Sequence, residues 1–164
     1  MRPFLRSVFG NPSSVHAEGR AARAAIDVAR NDVAHGIGAR PDEIIFTNGV
    51  TEAINIAIRG VLAASGDKQH VVTIATEHPA TLRALQGDVT IVPVSSDGSV
   101  DVAAVIAAIR PDTALVSVMY ANNEVGTIQP IREIGKLCRE RNIYFHTDAV
   151  QAAGALPLDV RNLY

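Results

Sequence analysis

Short, nearly continuous apolar runs alternate with amphipathic stretches along most of this chain, and that alternation limits the possible folds more than any other feature. VVTIA at 71–75, VTIVPV at 89–94, ALVSVMY at 114–120 and IYFHTDA at 143–149 read as buried strands, and EIIF at 43–46 as a shorter one before them. Helical spacing fills the gaps: 51–64, a helix after Pro79, 102–109 and 131–141. An earlier helix begins after Ser13 or Ser14, either able to cap it. It carries Ala22, Ile26, Ala29 and Val33 on one face and is ended by Gly36 and Gly38. A last apolar stretch, ALPLDV, runs toward the end of the chain. Apolar strands joined by helices predict an α/β fold of three layers, a largely parallel sheet with helices on both faces.

Composition narrows the role. The 164 residues, 48% hydrophobic and 20% charged, suffice for one core and are expected to form one domain over 1–164. A net charge of -2 gives no basic stripe for phosphates along a duplex, so no nucleic-acid partner is expected. A single cysteine, Cys138, excludes an internal disulfide framework. No leader-like segment opens the chain, and no apolar run approaches the roughly 20 residues that cross a bilayer. The expectation is a soluble, cytoplasmic chain with no membrane partner.

In parallel sheets ligands gather beyond the carboxyl ends of the strands, so the polar residues there are the functional candidates. Thr47-Asn48-Gly49-Val50-Thr51-Glu52 joins a turn to a helix start, which suits a phosphate, with the Thr51 hydroxyl as a further donor. Thr51 or Asn48 as an ordinary helix cap is the competing reading. His78, in TEHPA, is placed either to stack on a flat ring and move a proton or to form a surface hydrogen bond. Asn122, Asn123 and Glu124 read as a polar turn. In HTDAVQ, alternation puts His146 and Asp148 on one face, and a carboxylate so close to an apolar strand calls for a cationic partner. A protonated pyridine nitrogen would serve, and so would Arg, Lys or a helix N-terminus. A metal held by His78, His146 and Asp148 is disfavoured, because no HExxH or CxxC pair accompanies them, and no metal is expected. Cys138, mid-helix in IGKLCRER, reads as a packing residue.

Taken in order, FGNPSSVH (9–16), FTNGVTEAIN (46–55), ATEHPA (75–80), ALVSVMYANNEVGTIQPI (114–131) and FHTDAVQAAGALPLD (145–159) resemble the cysteine desulfurases of the class V aminotransferase superfamily. The resemblance implies part of the large, cofactor-binding domain of a fold-type I pyridoxal-phosphate transferase. Its implied reaction moves sulfur from L-cysteine to an enzyme-bound persulfide, releases L-alanine, and serves a sulfur-acceptor protein and iron-sulfur cluster assembly. It implies pyridoxal 5'-phosphate as cofactor and a homodimer when full length. It places Val50 and Thr51 at the phosphate, His78 over the ring as a catalytic proton carrier, and Asn123 near the ring oxygen and substrate. Asp148 falls at the ring nitrogen and Gln151 beside the ring oxygen. Asn48 and Val50 depart from the family's usual serine and smaller residue. The Schiff-base lysine, in a Ser-x-His-Lys context, and the small domain with the nucleophilic cysteine are expected beyond Tyr164, while Lys68 and Lys136 read as surface lysines. Alternatives of the same fold are a non-catalytic binding or scaffold module and another class V enzyme such as a selenocysteine lyase.

Overall fold

A strand covered on both faces must bury every residue, and β1 (His70–Ile74) does so. With β2 (Val89–Val92), β3 (Thr113–Ser117) and β4 (Tyr144–His146) it forms a wholly parallel sheet in the order β2-β1-β3-β4, in which Val71 lies opposite Val89 and Leu115. The computed structural model describes residues 2–163, so Met1 and Tyr164, the ends of the expected domain, lie outside the described residues.

Alternation along the strands sorts the core into two layers. Val71, Ala114 and Leu115 pack with Ile54 and Ile58 of one helix, α2 (Val50–Ala64), and with Ala84 of another, α3 (Pro79–Ala84). Val72, Ile74, Val116 and Val118 face the opposite side, against Val105 of α4 (Val102–Ala108) and Ile131, Ile134 and Cys138 of α5 (Ile131–Glu140). The expected α/β architecture of helix, sheet and helix is therefore present.

Backbone pairing outlasts the strands. Beyond Ser117 the Val118 N–H donates to His146 O at 3.0 Å and the Tyr120 N–H to Asp148 O at 2.8 Å, so residues after β3 and β4 stay in register up to Asp148. Gln129, 2% exposed, ties the next loop down: its Oε1 accepts from Val100 N–H at 3.0 Å and its Nε2 donates to Gly98 O at 2.8 Å. The expected strands at 89–94, 114–120 and 143–149 are thus shorter than their apolar runs, because hydrophobicity continues into turns that bury the same side chains. The stretch ALPLDV forms no helix or strand.

The chain divides into two compact units, one ending at Ile45 and one beginning at Phe46. The first is built on the helix of Ala17–Ile37. We label this helix α1. Its cap is neither Ser13 nor Ser14 but His16, whose Nδ1 accepts from Gly19 N–H at 3.2 Å. The preceding Asn-Pro-Ser turn explains the shift: a Cβ on Gly10 would stand 2.3 Å from Glu18 O, and one on Gly19 2.4 Å from Ser14 O, so this turn lies directly on the helix start. α1 continues through Gly36 and stops at Gly38, which takes the left-handed conformation. Of the expected apolar face, Ala22 is buried but Ala29 and Val33 are exposed; the better covered line runs Ala22, Ile26, Arg30, Ala34 at four-residue spacing. Glu43–Phe46 is not a strand. A 3-10 turn, Pro41–Glu43, takes its start, Ile44 O is occupied by the Arg30 guanidinium, and Ile45 is 71% exposed.

Candidate functional site

The order of the strands decides where a ligand can sit. From β1 the chain leaves through α3 to β2 on one side, whereas from β3 it leaves through α5 to β4 on the other. Loops that depart in opposite directions from adjacent strands open a crevice at their carboxyl ends. Here the crevice lies between β1 and β3, and the candidate residues follow those strands and β4.

From β1 comes the turn Thr76-Glu77-His78. His78 caps α3 by accepting Ala80 N–H on Nδ1 at 3.1 Å, and Pro79 starts the helix where a missing N–H costs nothing. An accepting Nδ1 places the proton of the neutral ring on Nε2. From β3 come Met119, Ala121 and Asn123. Asn122 is a structural knot instead: its Oδ1 accepts from Glu124 and Val125 N–H, each at 2.9 Å, and its Nδ2 donates to Thr76 O at 3.0 Å. From β4 comes Asp148, half-buried, with Oδ1 accepting Val150 N–H at 3.0 Å. Among the described residues no ion pair includes Asp148, so the carboxylate still calls for a cation. His146 turns to Ser117, Nδ1 to Oγ at 2.9 Å, and burial holds its pKa below the usual histidine value against the pull of Asp148.

These groups converge. Val50, His78, Asn123, Asp148 and Gln151 line one hollow of about 120 Å³ together with Met119, Ala121 and Val150. For scale, an apolar cavity of about 150 Å³ takes up one benzene ring. A wider hollow of about 530 Å³ beside Arg139, Asn142 and Tyr144 does not gather residues from several strand ends in this way. Thr51 is not on the lining; it is exposed in the first turn of α2. That turn starts at Gly49, which makes no side-chain cap, and a Cβ placed there would meet nothing within 4 Å. First-turn N–H groups lack intrahelical acceptors, so the helix start next to the hollow offers donors to an anion. The Glu52 carboxylate is turned back to Asn48 N–H at 2.7 Å. Among the described residues no cluster of three His, Cys, Asp or Glu is arranged to hold a metal ion.

One residue escaped the sequence reading. Glu77 is 5% exposed, and its Oε1 accepts Met119 N–H at 2.5 Å. Its Oε2 and Thr81 Oγ1 are buried and make no hydrogen bond in this arrangement. Burial pushes the carboxyl from the usual 4.5 to about 7; the Met119 N–H opposes the rise, and the charge of Asp148 adds to it. Its place, three residues past the end of β1 and beside the histidine that drew attention, gave no sign that the side chain turns inward.

A model of the aminotransferase class-V family matches residues 1–164. The chain belongs to that family. Its class V relatives include the cysteine desulfurase IscS of Dictyoglomus turgidum, 49% identical over 170 residues that cover 99% of this chain and 43% of that protein. The human cysteine desulfurase is 50% identical over 171 residues, 99% of this chain and 37% of its own length. Among solved structures, a NifS-like protein superposes with a TM-score of 0.93 at 36% identity, covering 99% of this chain and 47% of the other. SspA in complex with cysteine does so with a TM-score of 0.92 at 38% identity, covering 99% and 49%. The chain therefore spans less than half the length of these relatives. Class V aminotransferases depend on pyridoxal phosphate, and the fold found here is that of the fold-type I large domain.

Proposed function

We propose that the hollow holds pyridoxal 5'-phosphate and that these 164 residues are the cofactor-binding part of a cysteine desulfurase. The observation that carries this reading is Asp148, a half-buried carboxylate without an ion-pair partner among the described residues, set with His78 on the lining of a hollow of about 120 Å³. The names of the relatives, and the cysteine complex of SspA, support L-cysteine as the substrate. L-alanine and sulfur for an acceptor protein would be the products. The reading includes a homodimer of the whole protein and the cytoplasmic setting expected from the sequence; among the described residues no helix is long and apolar enough to cross a membrane.

When bound, the cofactor supplies a ring that withdraws electrons from a substrate carbon. The chain's own residues would hold and tune it. The N–H groups at Val50 and Thr51, with the Thr51 hydroxyl, receive the phosphate at the start of α2. Asp148 would keep a proton on the ring nitrogen through a charge-assisted hydrogen bond. Asn123 and Gln151 offer amides to the ring oxygen. His78 would cover the ring, and because Nδ1 is committed to Ala80 N–H, Nε2 would be the atom that moves a proton. Met119, Ala121 and Val150 supply the apolar part of the lining.

A second reading, a non-catalytic module with the same fold, is favoured by one observation: neither Lys68 nor Lys136 lines the hollow, so no lysine there can attach the cofactor. In the first reading that lysine, the nucleophilic cysteine and the small domain belong to sequence outside 1–164. Protein made from the complete gene and supplied with pyridoxal phosphate should release alanine from cysteine, and sulfide when a thiol reductant is added to reduce the persulfide. Cofactor binding without alanine would select the second reading, and turnover of selenocysteine but not cysteine would move the assignment to another class V enzyme.

A further inference from the structure

Resting on the reading of the hollow above, we propose that Glu77 is a positioning residue: its buried carboxyl fastens the His78 turn to the backbone at Met119 and, through its charge, sets how firmly Asp148 holds a protonated ring nitrogen.

The fastening is visible in two ties. Glu77 Oε1 accepts Met119 N–H at 2.5 Å, and Asn122 Nδ2 donates to Thr76 O at 3.0 Å, so the turn after β1 is joined twice to the segment after β3. His78 and Asn123 are the next residues beyond those ties, and both line the hollow. A hydrogen-bond acceptor alone would suffice for this, and glutamine would provide one without the cost of burying an acid. The acid keeps one oxygen buried and unpaired. Its other neighbours are the Thr81 hydroxyl on α3, His78 next in the chain, and the carboxylate of Asp148, while His146 beside Asp148 is turned to Ser117. A charge on Glu77 is felt by Asp148, whose own charge is felt at Glu77. Ionised, it makes the lining more negative and strengthens the hold of Asp148 on a cation; neutral, it does not.

The test compares the protein from the complete gene, unaltered, as E77Q and as E77A, with two readouts. The first is melting temperature against pH without cofactor. A carboxyl that titrates near 4.5 unfolded and near 7 folded binds its proton more tightly in the folded state, so its contribution to stability is fullest below about 4.5, falls as pH rises, and levels off above about 7. E77Q is expected to remove that part of the fall. The second readout is the affinity for pyridoxal phosphate by absorbance. E77Q should match the unaltered protein at acid pH and bind several-fold more weakly above about 7, where glutamate alone carries charge. E77A, which orphans the Met119 N–H, should bind weakly at every pH. Parallel pH profiles for E77Q and the unaltered protein overturn this inference alone. Failure of the unaltered protein to bind the cofactor at any pH overturns the reading of the hollow and this inference with it.

Discussion

Asp148 and Glu77 give the hollow its negative character by different means, one on the lining and one behind Met119. Replacing Asp148 with asparagine keeps its size but removes the charge that would pair with a ring cation. A hydrogen bond to a charged group is worth about 1.5–3 kcal/mol, so Asp148→Asn should weaken pyridoxal phosphate binding about tenfold to a hundredfold. An absorbance titration reads this, and unchanged affinity would remove Asp148 from the ring nitrogen. Cys138 should be inert. Its thiol is buried and pushed up to about 12, so alkylation at mildly basic pH should wait for unfolding, whereas rapid labelling of the folded protein would show that the α5 contact is open. The places of His78 and Asp148 on the lining were legible because a polar residue just beyond an apolar strand stands out, whereas Thr51 follows no strand and stands off the lining. Gln151 needed the family resemblance. Glu77 was illegible because nothing in TEHPA shows that its side chain turns inward to Met119.

At the scale of elements, helix positions were easier to read than strand ends. Three- and four-residue spacing placed α2 and α5 because each presents one face to the sheet, Ile54 and Ile58 in α2 and Ile134 and Cys138 in α5. Ile58 is fully buried between α2 and the sheet, so Ile58→Ala should cost about 2–5 kcal/mol, measured by denaturant unfolding. A loss well under that range would mean the layer collapses around the gap. Asp101 caps α4 by accepting Ala103 N–H at 2.9 Å, and Asp101→Ala should cost about 1 kcal/mol. Glu43–Phe46 misled because an apolar run becomes a strand only where a neighbour completes its ladder, and that depends on contacts distant in sequence. The α1 cap misled for a related reason. Serine is the commoner cap, but Gly10 and Gly19 bring the Asn-Pro-Ser turn so close that the helix starts only after His16.

For the molecule as a whole, alternating runs gave a parallel sheet with two helical layers, but not the strand order. That order follows from α3 and α5 leaving β1 and β3 in opposite directions, and the resulting crevice gathers Val50, His78, Asn123, Asp148 and Gln151, which are spread over a hundred residues of sequence. The central claim is that this crevice is a pyridoxal phosphate site. The most direct measurement is an absorbance titration of the protein from the complete gene with pyridoxal phosphate, alongside Asp148→Ala. Saturable binding by the unaltered protein, lost or greatly weakened in Asp148→Ala while both melt cooperatively, is the predicted result. No binding by a folded, unaltered protein, or equal binding by both, would contradict it.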